Sequence, residues 1–274
     1  MNQNPPIEPN PGSQNSSAGI GRPLRVLAWR AWAPGLPDRE AFHTWLLGHG
    51  AYEPVEAKPP CAAVPSRLRR RCTYLTRMVL ETALPVCDDA GLATDAVNLV
   101  YGSRNGEIVI LRDLLSDIFD REPLSPTAFS NSVHHTPTGY FGLVTKNKGI
   151  SRTVSAHRDT FTCAYLEAVM LATRYPETPV LLVIADEQTP EPFDRILHPP
   201  PFPHSVAMIL APAPAGSGIG LTRVRNAAPS PEGAGREPAA EEGEEQVFSF
   251  LRWYLGDEAQ LDLDTEFGGV RWWR

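Results

Sequence analysis

Apolar positions along this chain fall into two alternating kinds of run. Short runs rich in β-branched and aromatic residues predict strands: LRVLAWRAWAP from Leu24, AVNLVYGSRNG from Ala96, ISRTVSA from Ile150, and PVLLVIADE from Pro179, which ends in acids. SVAMILAPA from Ser205 and IGLTRVRN from Ile219 predict two more, read as antiparallel neighbours. Between them, apolar residues three and four apart predict helices. PDREAFHTWLLGHG is a short one with Pro and Asp at its start. SRLRRRCTYLTRMVLETALPVCDDAGL reads as one long helix, capped by Ser66 and stopped by Gly91. EIVILRDLLSDIFD is amphipathic, and EQVFSFLRWYLG is the last helix. A further helix places Phe161, Tyr165, Leu166, Val169 and Met170 on one stripe.

Two stretches resist assignment. SPTAFSNSVHHTPTGYFGLVTK, from Ser125, reads as only half-regular, and LDTEFGGVRWWR is a tail given no element. The alternation of strand and helix nonetheless predicts an α/β fold with a mixed sheet covered by helices, in one domain over residues 22–274. Residues 1–21, polar and rich in Pro, Asn and Ser, are expected to be disordered. A Pro/Ala/Glu-rich stretch at about 226–245 is expected to be a flexible acidic insertion.

Composition narrows the function. A net charge of −7 argues against a general nucleic-acid binder, which needs a basic surface for phosphate. No apolar run reaches the ~20 residues that span a bilayer, and the polar first residues lack a secretory pattern, so a cytoplasmic protein is expected. Cys61, Cys72, Cys87 and Cys163 show no metal-ligand spacing. Cys72 and Cys163 read as core thiols within helices. GSGIG at 216–220 does not open a helix after a strand, so the dinucleotide reading fails its context test. No cofactor and no metal are expected.

The candidate chemistry centres on TVSAHRDTFTCAYLEA, where a strand ends in Ser155-Ala156 and a helix follows. Such a strand–turn–helix elbow presents a nucleophile at a positively polarised helix end in many enzymes, yet here the turn offers His157. A neutral imidazole there could serve as a base with Asp159 as its orienter, or simply fill the turn. Ser155 lacks a GxSxG context, and Cys163 lies past the first helical turn. His134 and His135 lack a third metal ligand nearby in sequence. The basic cluster Arg67, Arg69, Arg70 and Arg71 reads either as a solvated helix face or as a docking patch.

SNSVHHTPTGYFGLVTKNKGISRTVSAHRDTFTCAYLEA resembles the N-terminal half of a β-ketoacyl synthase, a thiolase-fold condensing enzyme. Gly139 matches the glycine of that family, Ile150–Ala156 its strand and small residues, and His157 stands where the acyl-carrying Cys should be. VLAWRAWAPGL, VYGSRNGEIVILRDLL, EPLSPTAFSNSVHHTPTGYFGL and GGVRWWR resemble the ketosynthase-like group that matches only this half. Over residues 24–212 and the tail, the resemblance implies half of a thiolase-like fold. It also implies a place beside a true ketosynthase and acyl carrier proteins, in polyketide, fatty-acid-like, aryl polyene or xanthomonadin-type pathways. The missing Cys and the missing C-terminal half, which carries the two catalytic histidines, imply a non-catalytic partner of the chain-length-factor kind. That partner would form a heterodimer with a ketosynthase or pair with itself. The resemblance puts Ser132, His134, His135, Gly139, Tyr140 and Phe141 near the interface, and makes Arg67, Arg69, Arg70 and Arg71 candidates for carrier-protein docking. The rival reading is a small acyltransferase or thioesterase-like enzyme using His157. A homodimeric acyl-binding protein is a third.

Overall fold

The computed structural model describes residues 19–197, 199–224 and 245–274. Five strands form the main sheet: β1 (Leu24–Trp32), β2 (Asn98–Gly102), β3 (Ser151–Val154), β4 (Val180–Asp186) and β5 (His204–Pro212), in the order β1-β5-β4-β2-β3. β2, β3 and β4 run parallel, and β5 pairs antiparallel with both β1 and β4. The central strands are buried along their whole length, which is why they read as unbroken apolar runs. β3 stands at one edge.

One face of this sheet, through Leu99, Tyr101, Leu181, Val183, Ala207 and Ile209, packs on α3 (Tyr74–Asp89) and α6 (Thr136–Thr145). The opposite face packs on α7 (Thr160–Arg174), with α1 (Arg39–Leu46) and α8 (Gln246–Leu255) beside it. Beyond α7 lies a second, antiparallel sheet in the order β6-β8-β7, made of β6 (Gly220–Val224), β7 (Gln260–Thr265) and β8 (Gly268–Trp273). The domain is therefore layered helix, sheet, helix, sheet. Trp272, fully buried, stacks on Phe161 at 6.0 Å and meets Tyr165 edge-on at 6.1 Å. α7 is sandwiched between the two sheets, and its small residues Ala164, Ala168 and Ala172 let the main sheet approach closely.

Four departures from the sequence reading have local causes. The long helix from Ser66 breaks after one turn: α2 (Ser66–Arg69) stops, and α3 restarts behind Thr73, whose hydroxyl accepts from the Thr76 amide at 3.0 Å. Cys72 thus lies between helices. The half-regular stretch forms two short helices, α5 (Pro126–Asn131) and α6, each with Pro in its first turn. β5 and β6 are not neighbours, because β6 crosses to the second sheet. The tail is the β7–β8 hairpin, and its polar alternation reflects a sheet wet on one face.

The expected N-terminal tail and acidic insertion fall almost wholly outside the described residues. Ile20 is placed, donating to the Leu221 carbonyl at 2.6 Å. Glu245 is placed too, buried against Arg104 at 2.7 Å. Among the described residues, no helix is long and apolar enough to cross a membrane.

Candidate functional site

The parallel strands β2, β3 and β4 deliver their C-terminal ends to one place, the region where α/β sheets form their sites. β3 leads into Ser155, Ala156 and a 3₁₀ turn, His157–Asp159, which opens α7. His157 has φ +51°, a left-handed conformation that costs a non-glycine residue roughly 1–2 kcal/mol. The turn is locked locally: Thr160 Oγ1 donates to the His157 carbonyl at 2.7 Å and accepts from the Ala156 amide at 3.1 Å. The Ser155 hydroxyl donates to the Arg104 carbonyl at 2.8 Å and is thereby tied to the end of β2.

The His157 ring is 42% exposed, with Nδ1 3.4 Å from Glu266 Oε1 in the β7–β8 turn. The orienting role suggested for Asp159 does not fit its geometry. Asp159 is buried, and its carboxylate accepts from Gln246 Nε2 at 2.9 Å and from the Glu266 amide at 2.8 Å. It rivets α8 and the C-terminal hairpin to the elbow, and among the described residues Glu266 is a carboxylate that meets the imidazole.

The segment named as an interface divides in two. Tyr140 and Phe141 are core residues under α3, with the Tyr140 hydroxyl donating to the Arg71 carbonyl at 3.1 Å. Burial pushes the Tyr140 phenol up. Ser132 closes α5 by donating to the Phe129 carbonyl. Nδ1 of His135, exposed, lies 2.7 Å from the Thr153 hydroxyl and so links the α5–α6 connection to the edge strand. Gly139 is exposed in mid-helix with nothing within 4 Å of an added Cβ.

Around these residues α4 (Ile108–Asp120), α5 and α6 present apolar side chains to solvent, with Phe119, Phe129, Val133 and Leu143 more than half exposed. Among the described residues, β3 has no strand on its outer side. Of the arginines, Arg67, Arg70 and Arg71 are exposed, whereas Arg69 reaches back to the Pro60 and Cys61 carbonyls.

Cysteine chemistry finds no support. Cys61, Cys72 and Cys87 are buried free thiols pushed up by burial to about 12, 11 and 12, and half-buried Cys163 is raised in the same way. Among the described residues, no group of three metal-ligating side chains converges.

Sequence reasoning missed a buried carboxylate cluster beside the elbow. Asp186 accepts from the Ser103 hydroxyl at 2.9 Å and the Arg104 amide at 2.7 Å. Glu107 accepts from Thr73 and Thr76, and Glu187 from the Val109 amide. The available signal for two of the three was the pair of acids, Asp186 and Glu187, that ends the unbroken apolar run of β4.

Comparison with known proteins places this geometry. The model of the β-ketoacyl synthase N-terminal domain matches residues 43–273. A chain in the complex of a ketosynthase (ApeO) with its chain length factor (ApeC) from Xenorhabdus doucetiae is similar with a TM-score of 0.73 and 25% identity. The match covers 92% of this chain and 99% of that one, so the two are close in length. The ishigamide ketosynthase/chain length factor matches with a TM-score of 0.58 and 16% identity over 73% of this chain and 65% of that one. A β-ketoacyl synthase from Burkholderia phymatum matches with a TM-score of 0.57 and 14% identity over 75% and 65%. Against these last two, the chain spans slightly less than two thirds of their length, and they share the fold alone. No curated protein matches the sequence significantly. The chain belongs to the β-ketoacyl synthase family, through the domain that forms the N-terminal half of its fold.

Proposed function

We propose that this chain is a non-catalytic, chain-length-factor-like subunit that pairs with an active ketosynthase in polyketide, aryl polyene or fatty-acid-like biosynthesis. The observation that carries the reading is the elbow. The left-handed turn at a helix start is present, at a cost in strain, while the residue at its apex is a partly exposed imidazole beside the chain's own hairpin, which Asp159 two residues on holds in place. Strain of this kind persists where the surrounding structure holds it, and here it is held without a nucleophile to present.

The apolar α4–α6 surface and the free edge of β3 supply a face of the right character for a partner of the same fold. Gly139 would admit a close approach by that partner. Arg67, Arg70 and Arg71, beside this face, fit the acidic surface expected of an acyl carrier protein.

Co-expression with the ketosynthase encoded nearest to it, followed by light scattering, tests the proposal. A one-to-one complex is the expected result, and a lone monomer or homodimer with no affinity for the ketosynthase would overturn it. One observation favours a second reading: the His157–Glu266 pair is that of an oriented base, as in a small acyltransferase or thioesterase. His157→Ala separates the two, since the accessory reading expects pathway flux to continue and the enzymatic one expects it to stop.

A further inference from the structure

Two carboxyl groups join the starts of two helices. Glu107 immediately precedes α4 and is 2% exposed; its Oε1 accepts from Thr73 at 2.7 Å and Thr76 at 3.1 Å, the first residues of α3. Glu187, 5% exposed, follows β4 and accepts from the Val109 amide in the first turn of α4 at 3.2 Å. Glu107 Oε2 is buried with no donor, and an ionised oxygen there would be a desolvated charge with nothing to meet it.

The groups around the pair do not supply a counter-charge. From α3 come the Cys72 thiol at its approach and the Tyr74 phenol; from β2 comes Tyr101, whose buried hydroxyl is without a partner. α4 contributes Asp113 and β4 contributes Asp186, both acids. From the α5–α6 connection His134 packs its ring against Gly106 and 6.0 Å from Tyr101, with both ring nitrogens buried; burial lowers its pKa and so disfavours a positive charge there. His204 and Arg104 face Asp186, and Arg104 is committed to Glu245.

We propose that Glu107 and Glu187 are a proton-loaded clamp holding the starts of α3 and α4 together, so that the partner-facing surface of α4 is ordered when the pair is protonated and loosened when it is not. The inference rests on the accessory-subunit reading for its consequence and on the isolated chain for its physics. Burial raises Glu107 to about 7 and burial with the neighbouring Glu107 charge raises Glu187 to about 8, while the unfolded chain titrates near the ordinary carboxyl range. The folded chain therefore binds protons that the unfolded chain has lost. Stability falls as pH climbs from that range through about 8 and levels off above it.

The test follows amide exchange and thermal unfolding of the isolated chain between pH 6 and pH 9. Opening of the first turn of α4 should rise by at least about tenfold beyond the intrinsic pH effect, matching one unit of coupled titration. The melting temperature should fall together with it. Glu187→Gln and Glu107→Gln keep the accepting oxygens and should flatten both responses. A flat wild-type profile, or an equal slope in the variants, overturns the clamp. Should either variant fail to fold, carboxyl ¹³C resonances of the wild type decide: two glutamates titrating above pH 6 support the clamp, and none there removes it. Ketosynthase binding measured at pH 6.5 and pH 8.5 completes the experiment. Loss of about tenfold in wild type alone supports the coupling, and pH-independent binding sinks it. No binding at any pH instead sinks the functional reading, and leaves the titration of the isolated chain to decide the clamp.

Discussion

The two sides of the main sheet solve the same problem differently. On the α7 side, the chain covers most of its own apolar surface: α8 and the small β6-β8-β7 sheet close over Phe161 and Tyr165, with Trp272 as the central piece, and Met170 of α7 stays exposed. On the other side, α3 and the inner residues of α6 seal the sheet, but among the described residues nothing covers the outer surface of α4–α6 or pairs with the edge of β3. The C-terminal hairpin β7–β8 supplies much of the cover on the α7 side. Among the described residues the α4–α6 side has no comparable cover, although the chain shows elsewhere that it can cover an apolar surface.

Four substitutions sharpen or break this contrast, in order of their effect on the isolated chain. Trp272→Ala removes the center of the cover and should cost about 3–5 kcal/mol, enough to abolish cooperative unfolding in a urea titration. Asp159→Ala takes away the acceptor that anchors Gln246 and the hairpin turn and should cost about 1–3 kcal/mol, with faster amide exchange at Glu266 as its signature. Gly139→Ala should move the other way: the site is exposed helix with space for a methyl group, so the melting temperature should rise by an amount matching roughly 0.5–1 kcal/mol. Leu143→Asp, 66% exposed on the open face, should change stability by no more than about 0.5 kcal/mol while abolishing complex formation in light scattering. If Leu143→Asp instead unfolds the chain, or Trp272→Ala leaves it intact, the contrast between the two sides is wrong.

Much of the fold was legible because buried parallel strands leave unmistakable apolar runs, and the Pro and Asp before α1 sit where that helix begins. The break after Arg69 was hidden because Arg70, Arg71 and Cys72 continue a helical pattern, and only Thr73 betrays the restart. The hairpin was hidden because its turn, Glu266-Phe267, lacks the Asn-Gly or Asp-Gly signature, with the glycine following at Gly268, φ +115°. At the site, the elbow was readable from strand, small residues and helix. The partner of His157 was not, since Glu266 lies more than a hundred residues away and only the hairpin brings it near. The burial of Glu107 and Glu187 was not readable, because burial of a charge depends on tertiary packing that no local pattern records.

An edge of β3 that no described strand pairs with has a consequence for the cell rather than for the molecule. A strand with open backbone donors and acceptors, set beside exposed Phe129 and Leu143, is a template for wrong partners as well as right ones. Surplus subunit would be removed by proteases or lost to aggregation, so the amount that accumulates would follow the supply of whatever covers that edge. Gene dosage, more than affinity, would then set how much of the assembly the cell can keep.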